Sequence, residues 1–251
     1  MASRRGQMLD GVLLLDKPEG LSSNHALQRA KRTVDARKAG HTGTLDPFAT
    51  GLLICCFGRA TKISAAMLEA DKVYDATITF GEETDSGDLT GHIVARFEQT
   101  PAVTTTQLED VLVSFRGEIQ QIPPMVSALK RDGKPLYEYA RQGIELERPP
   151  RQITIHALDV LSCEGNQARV RVHCSKGTYV RTLAQDIGRH LGCFGHLSAL
   201  RRTAIGPFSI EQAIGLEALQ AMPAPQSALI PLHALPDGLR PASVTTEENI
   251  L

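Results

Sequence analysis

The densest run of residues able to do chemistry is Gly40-His41-Thr42-Gly43-Thr44-Leu45-Asp46-Pro47-Phe48-Ala49-Thr50-Gly51. Its glycines and proline fix an unusual loop path. His41 and the threonines bring hydrogen-bonding groups, and Asp46 sits in the middle. Pro47 biases the residue before it away from helix, so Asp46 is presented from a loop. A carboxylate in that position serves as a nucleophile or general base if it is held ionised and close to its target; otherwise it shapes the turn. No Gly-Lys-Ser/Thr closes the loop, which excludes a phosphate-binding P-loop. A second candidate is residues 123–151, where Lys130, Arg131, Lys134, Arg141, Arg148 and Arg151 are interleaved with Tyr137 and Tyr139. Basic groups alternating with aromatics on a loop suit RNA phosphates and bases. Glu138, Glu145 and Glu147 dilute that charge, and a surface flap without a ligand is the alternative to RNA contact.

Charge is segregated along the chain. The whole carries −1. Residues 1–40 carry +4, residues 41–122 carry −7, and residues 168–206 carry +6. A basic concentration beside acidic segments fits a polyanion groove or an uneven surface equally well. Five cysteines, odd in number and without a Cys-x-x-Cys spacing, suggest neither a disulfide framework nor a zinc site. They read as small apolar residues in a reducing cytosol. The longest apolar run, Leu52 to Phe57, is far short of the roughly 20 residues that span a membrane. The start, MASRRGQMLDG, lacks the apolar stretch of a secretory signal. Localisation is therefore expected to be cytoplasmic.

Elements to position these residues follow from periodicity. Residues 9–15 read as a strand ended by Asp16-Lys17-Pro18-Glu19-Gly20, and Ser22 or Ser23 caps a helix to about Val34. Leu52–Phe57 reads as a buried strand and Thr61–Glu69 as a helix. Residues 72–80 alternate, with Tyr74, Ala76, Ile78 and Phe80 on the more apolar face. Residues 81–91 read as a loop, 92–97 as a strand, and Thr105 or Thr106 caps a helix through Phe115. A turn at Arg131-Asp132-Gly133 and a short helix near 136–142 are expected within 123–151. Residues 152–162 and 167–174 form a hairpin, with Arg169, Arg171 and His173 on one face. Thr178–Leu191 reads as a helix and 196–205 as a strand or loop. Beyond 206, repeated prolines predict short helices and a connector rather than core. The whole fits α+β with an antiparallel or mixed sheet.

GHTGTLDPFATG closely resembles the catalytic motif of the TruB family, the bacterial tRNA pseudouridine synthases that modify uridine 55. The likeness extends, in order, through GVLLLDKPEGLSSN (11–24), LEADKVYDA (68–76), the 123–151 segment, CSKGTYVRTLAQDIG (174–188) and HLSALRRTAIGPF (196–208). It implies a pseudouridine synthase fold, with a mixed or antiparallel central sheet flanked by helices and an RNA-binding insertion at 123–151. The catalytic domain would be 1–210, with 211–251 forming C-terminal helices and linker. The small C-terminal RNA-binding domain of relatives would be absent or truncated. The implied reaction isomerises a flipped-out uridine of the tRNA T-arm, without metal or other cofactor, by a monomer needing no protein partner.

By the same resemblance, Asp46 is the catalytic carboxylate, Tyr74 stacks on the uracil, and Arg181 pairs with Asp46. Tyr179 and Leu200 line the pocket, and His41 inserts into or stacks within the T-loop. Lys17 and Pro18 support the active-site loop. Lys17, with Lys130 and Arg141, is also counted among the substrate-binding residues. The chemistry is consistent with that set. Cleaving C1′–N1 and rejoining through C5 needs a carboxylate, a base for the C5 proton and exclusion of water. An arginine fork orients a carboxylate, and a stacking aromatic offsets part of the few kcal/mol of base flipping. Two rival readings use the same groove: a non-catalytic tRNA-binding or folding module, and the catalytic subunit of a guide-RNA complex acting on ribosomal RNA. Retention of Asp46, Tyr74 and Arg181 together weighs against the first. The second normally needs the C-terminal domain and protein partners.

Overall fold

The computed structural model describes residues 6–240. The chain forms two compact units: residues up to Lys72 together with those from Arg201 onward, and Val73–Leu200.

In the first unit the strand Gly11–Lys17 runs antiparallel to Thr50–Phe57, from Gly11 opposite Phe57 to Lys17 opposite Gly51. Thr50–Phe57 also pairs antiparallel with Ala39–His41 and parallel with Arg201 and Arg202. On the other edge, Leu15 and Asp16 pair in parallel with Ile214 and Gly215. Successive side chains of a strand point to opposite faces, and here both faces are covered. Leu13, Leu15, Leu53, Cys55 and Phe57 meet Ala26, Leu27 and Ala30 of the helix Ser23–Thr33. Val12, Leu14, Leu52, Ile54 and Cys56 meet Ile63, Met67, Ile205 and Phe208. Double-sided burial is why these strands read as continuous apolar runs rather than alternating ones.

Beyond residue 206 the structure departs from the expected connector. Leu216 and Leu219 of the helix Leu216–Ala221 complete one apolar cluster, and Leu232 and Leu235 complete the other. Each buried side chain of this size stabilises by about 1.5–3 kcal/mol. Val12 and Ile230 exchange backbone hydrogen bonds of 2.9 and 2.8 Å. The prolines break up the periodicity of a segment that is core all the same. The expected division at residue 210 is therefore not where the compact units part. The expectations for residues 1–5 and 241–251 lie outside the described residues.

In the second unit the strands Lys72–Phe80, Gln167–Cys174, Arg151–Glu164 and Gly117–Gln121 are neighbours in that order. The hairpin turning at Gly165-Asn166 is antiparallel, with Leu158 opposite Val172, and register shifts near His156 and Leu161 lengthen its first strand. Val170, Val172 and Cys174 are buried while Arg169 and Arg171 are exposed, as the alternation predicts. The helix Val180–His190 buries Leu183, Ala184 and Ile187.

Three local readings change. Thr61–Glu69 is a 3₁₀ turn, Gly58–Ile63, followed by the helix Ser64–Glu69. The hydroxyls of Thr61 and Ser64 donate to carbonyls three residues back, a local bond that competes with α-helix. The acidic segment 81–91 is not all loop: Glu82–Thr84 pairs with Ile93–Arg96. Gly117–Gln121, which no pattern announced, is a strand opposite Arg151–Ile155.

All five cysteines are free thiols, and four are buried. Burial pushes the Cys56 thiol up to about 12, so it is protonated and behaves as a small apolar side chain. Among the described residues no helix is long and apolar enough to cross a membrane.

Candidate active site

The Asp46 loop is pinned on both sides of its carboxylate. Before it, the Leu45 N–H donates to Ser23 Oγ at 2.7 Å, and that hydroxyl lies 3.1 Å from the Leu45 carbonyl. After it, the Pro47 carbonyl accepts from the Gly20 N–H at 2.7 Å and from Lys17 Nζ at 3.3 Å. The Ala49 N–H closes a turn onto the Asp46 carbonyl at 3.1 Å. Phe48 and Ala49 are buried as anchors, while Asp46 itself is partly exposed.

Two buried cations hold the loop's backbone. Lys17 is 0% exposed. Its ammonium also donates to the carbonyls of Pro18 and Leu21 at 2.8 and 2.7 Å. Three protons thus meet three carbonyls. This corrects the placing of Lys17 among substrate-binding residues: with no exposed surface and all its donors spent on backbone, it shapes the loop. Burial pulls its ammonium down to about 8, opposed by the negative charges of Asp46 and Glu19. Arg202, 1% exposed, sends Nε to the Leu52 carbonyl at 2.8 Å and Nη2 to the Gly43 carbonyl at 3.2 Å. Its Nη1 lies 3.5 Å from the Thr44 carbonyl. Gly51 lets the strand approach that closely: at φ 103°, a Cβ there would collide with the backbone of Arg202. Arg202 is the site residue that motif reading left without a role.

His41 ends the short strand Ala39–His41. Burial, reinforced by the charge of Arg202, holds its imidazole below the usual range, favouring the neutral ring. Its Nδ1 is buried without a hydrogen-bond partner among the described residues.

In the second unit, Arg181 is a buried group rather than a surface cation of its helix. Nη1 donates to the Ser86 carbonyl at 2.9 Å and Nη2 to the Val126 carbonyl at 2.7 Å. Nε lies 3.8 Å from Asp88 Oδ2. Asp88 is itself fixed by Ser86 Oγ, Thr90 Oγ1 and the Thr90 N–H at 2.6–2.9 Å. The acidic segment is thus an organised mount that ties the helix to the 123–151 insertion. Tyr179 precedes the helix, and Gln121 clamps its backbone, accepting from its N–H at 2.8 Å and donating to its carbonyl at 3.1 Å. Tyr74 is half-buried in its strand and Leu200 is 8% exposed. Arg171 pairs with Asp75 through two hydrogen bonds of 2.7 and 2.9 Å, which accounts for part of the basic strand face without a ligand. Within the insertion, Lys134 lies over the Tyr139 ring at 4.8 Å and Arg141 over Tyr137 at 5.2 Å. Each tyrosine therefore has one face covered by a cation. Lys130 and Arg141 are exposed.

The family model for the N-terminal domain of TruB pseudouridylate synthases matches residues 31–180. The chain belongs to the TruB family. A second TruB model, the C-terminal domain of tRNA pseudouridylate synthase B, matches residues 181–242. The TruB relative from Bordetella avium, a tRNA pseudouridine synthase B, is 71% identical over 97% of this chain and all of its own length. The Aromatoleum aromaticum protein of the same name is 58% identical over 91% of this chain and 74% of its own. Among solved structures, a Cbf5–Nop10–Gar1 complex contains a chain 31% identical, with a TM-score of 0.70. The match covers 89% of this chain and 60% of that one. The TruB membership carries the pseudouridine synthase fold.

Arg181→Lys is expected to slow the TruB reaction at least tenfold under single-turnover conditions. A lysine reaches one carbonyl where the guanidinium spans two, leaving a buried carbonyl without its donor, at about 1–3 kcal/mol. A rate within twofold of wild type would show that the fork is dispensable.

Proposed function

We propose that the chain isomerises uridine 55 in the T-loop of tRNA to pseudouridine. The observation that carries this reading is the pinned loop that presents Asp46, in a chain 71% identical to a named tRNA pseudouridine synthase B. The C1′–N1 bond of the nucleoside breaks, a C1′–C5 bond forms, and the C5 proton is lost as N1 gains one. Atoms and electrons balance within the nucleoside, so the reaction calls for no redox partner. Asp46 is the carboxylate of this chemistry, whether it adds at C6, adds at C1′ or removes a proton on a glycal route. The uracil must leave its stack, at a cost of a few kcal/mol. The Tyr74 ring offsets part of that by stacking, with Tyr179 and Leu200 as apolar walls. The neutral His41 ring stacks within the opened loop, and Lys130 and Arg141 meet phosphates. Arg181 positions the catalytic groups from its buried mount. The enzyme acts as a monomer in the cytoplasm, on tRNA alone.

Purified protein incubated with unmodified tRNA, without guide RNA or other proteins, should yield pseudouridine at position 55 of the T-loop. No pseudouridine under those conditions would favour a binding module or a guide-dependent enzyme. Pseudouridine at another position would overturn the assignment of the target.

A further inference from the structure

We propose that Gln121 is a positioning residue for the reaction: its side-chain amide sets the direction in which Tyr179 presents its ring to the base pocket. This rests on the reading of Tyr179 as a wall around the flipped uracil. Gln121 ends the strand Gly117–Gln121 and is the one buried residue in it, 3% exposed. Glutamine is mostly found exposed, and hiding its amide is costly unless both halves find partners. Here both partners belong to a single residue. Oε1 accepts from the Tyr179 N–H at 2.8 Å, and Nε2 donates to the Tyr179 carbonyl at 3.1 Å. The Leu183 N–H, 3.1 Å from the same carbonyl, closes the first turn of the helix that follows.

This clamp does more than satisfy a buried amide. Each peptide unit is planar, and a side chain leaves from the Cα hinged between two such planes. The Tyr179 N–H lies in the plane before its Cα and the carbonyl in the plane after. One amide that holds both fixes φ and ψ together, and with them the Cα–Cβ direction. Tyr179 is the N-cap residue of the helix Val180–His190, at φ −102° and ψ 103°, and its side chain makes no cap bond. Ser, Thr, Asp or Asn would order that position with a short side chain of its own. A tyrosine hydroxyl lies too far out to do so. Gln121 supplies the order from a neighbouring strand, so the position can carry a ring instead of a capping group.

The requirement is specific to glutamine. Asparagine is one methylene shorter, glutamate at neutral pH has the acceptor without the donor, and methionine matches the length with only a weak acceptor. The stretch after Gln121 reaches the same helix again. The Val126 carbonyl accepts from Arg181 Nη2 at 2.7 Å. Pro123 and Pro124 stand between, each with its φ fixed. Residues 121–126 therefore form a stiff strap laid against Tyr179 and Arg181.

The test is single-turnover pseudouridine formation at saturating enzyme, with tRNA affinity and melting temperature measured on the same proteins. Gln121→Met keeps the length and removes the clamp. Gln121→Glu keeps the shape and the acceptor and removes the donor. Each should slow the step at least about 20-fold, within the roughly 100-fold that a displacement of about 1 Å is worth. Affinity for tRNA should stay within about threefold of wild type, the pattern of a lost positioning contact rather than a lost binding contact. Ile153→Ala, a buried change on the adjoining strand, should lower the melting temperature as much and leave the rate within about threefold. A wild-type rate in either Gln121 variant overturns the proposal. So does a loss confined to affinity, which would make Gln121 part of the grip on RNA. So does an Ile153→Ala rate as low as that of the Gln121 variants, which would make the effect one of stability. If the wild-type protein forms no pseudouridine, the reading of the site fails and this proposal falls with it. An active wild type with an unimpaired Gln121 variant sinks the proposal alone.

Discussion

Asp46→Asn is expected to lower single-turnover pseudouridine formation by at least about 10³-fold, equivalent to about 4 kcal/mol in the barrier. Binding of unmodified tRNA should stay within a few-fold of wild type. The substitution keeps shape and removes the charged oxygen, and the loop around it does not depend on the carboxylate for its path. Leu45 is held by Ser23, Pro47 by Gly20 and Lys17, and residues 43–44 by Arg202. An asparagine should therefore sit where the aspartate sat, unable to act as nucleophile or base. Rapid-quench assays at saturating enzyme separate chemistry from affinity. Residual activity above a thousandth of wild type would remove Asp46 as the reacting group.

Arg202→Lys is expected to cost about 100-fold in the same rate, although the charge is kept and the side chain has no exposed surface with which to meet RNA. One guanidinium serves the carbonyls of Leu52, Gly43 and Thr44 from three nitrogens in a rigid plane. An ammonium is a single point and cannot reach all three. Each carbonyl left unpaired in the interior costs about 1–3 kcal/mol. Part of that should appear as a lower melting temperature. The rest should appear as a loop that no longer holds Asp46 in place, where a displacement of about 1 Å is worth about 100-fold. Comparing rate and melting temperature between Arg202→Lys and a core variant of equal stability loss, such as Leu53→Ala, separates the two. If both variants lose stability alike and keep the wild-type rate, Arg202 is a packing residue without a part in catalysis.

Much of this arrangement was legible in the residues. The helix cap at Ser22, the strand Leu52–Phe57 and the hairpin turning at Gly165-Asn166 all follow from local signals that tertiary packing leaves intact. The same holds for the turn at Arg131-Asp132-Gly133. Arg202 was legible too, though by a subtler route. In a strand that buries Leu200, the residue two further on faces the same side, so Arg202 points inward and Arg201 outward. Arg201 does lie outward, paired with Asp16 at 2.7 Å. What local pattern could not supply is the partner of a buried cation. Lys17 and Arg202 spend their donors on main-chain carbonyls, and carbonyls leave no trace in residue identity. The acidic segment 81–91 misled for a related reason. Its polar composition reads as solvated loop, yet Glu83 and Asp88 are buried because Arg189 and the Ser86–Thr90 turn satisfy them. The segment beyond 206 misled through its prolines, which conceal four buried leucines.

The first unit is assembled from the two ends of the chain, whereas the second is one uninterrupted stretch. During synthesis the ribosome releases Val73–Leu200 whole, and its antiparallel hairpin can form from contacts close in sequence. The Asp46 loop has to wait. Arg202, which holds its carbonyls, and Leu216, Leu219, Leu232 and Leu235, which close its core, emerge only after the whole second unit. Closing so long a loop is entropically slow. The nascent chain should therefore acquire its Arg151–Cys174 hairpin first and the ordered Asp46 loop last. Pulsed hydrogen exchange during refolding would show this as early protection of Arg151–Cys174 and late protection of Gly11–Lys17, and the reverse order would refute it. A chain stalled before Arg202 would carry a folded second unit while the Asp46 loop still lacked its clamp.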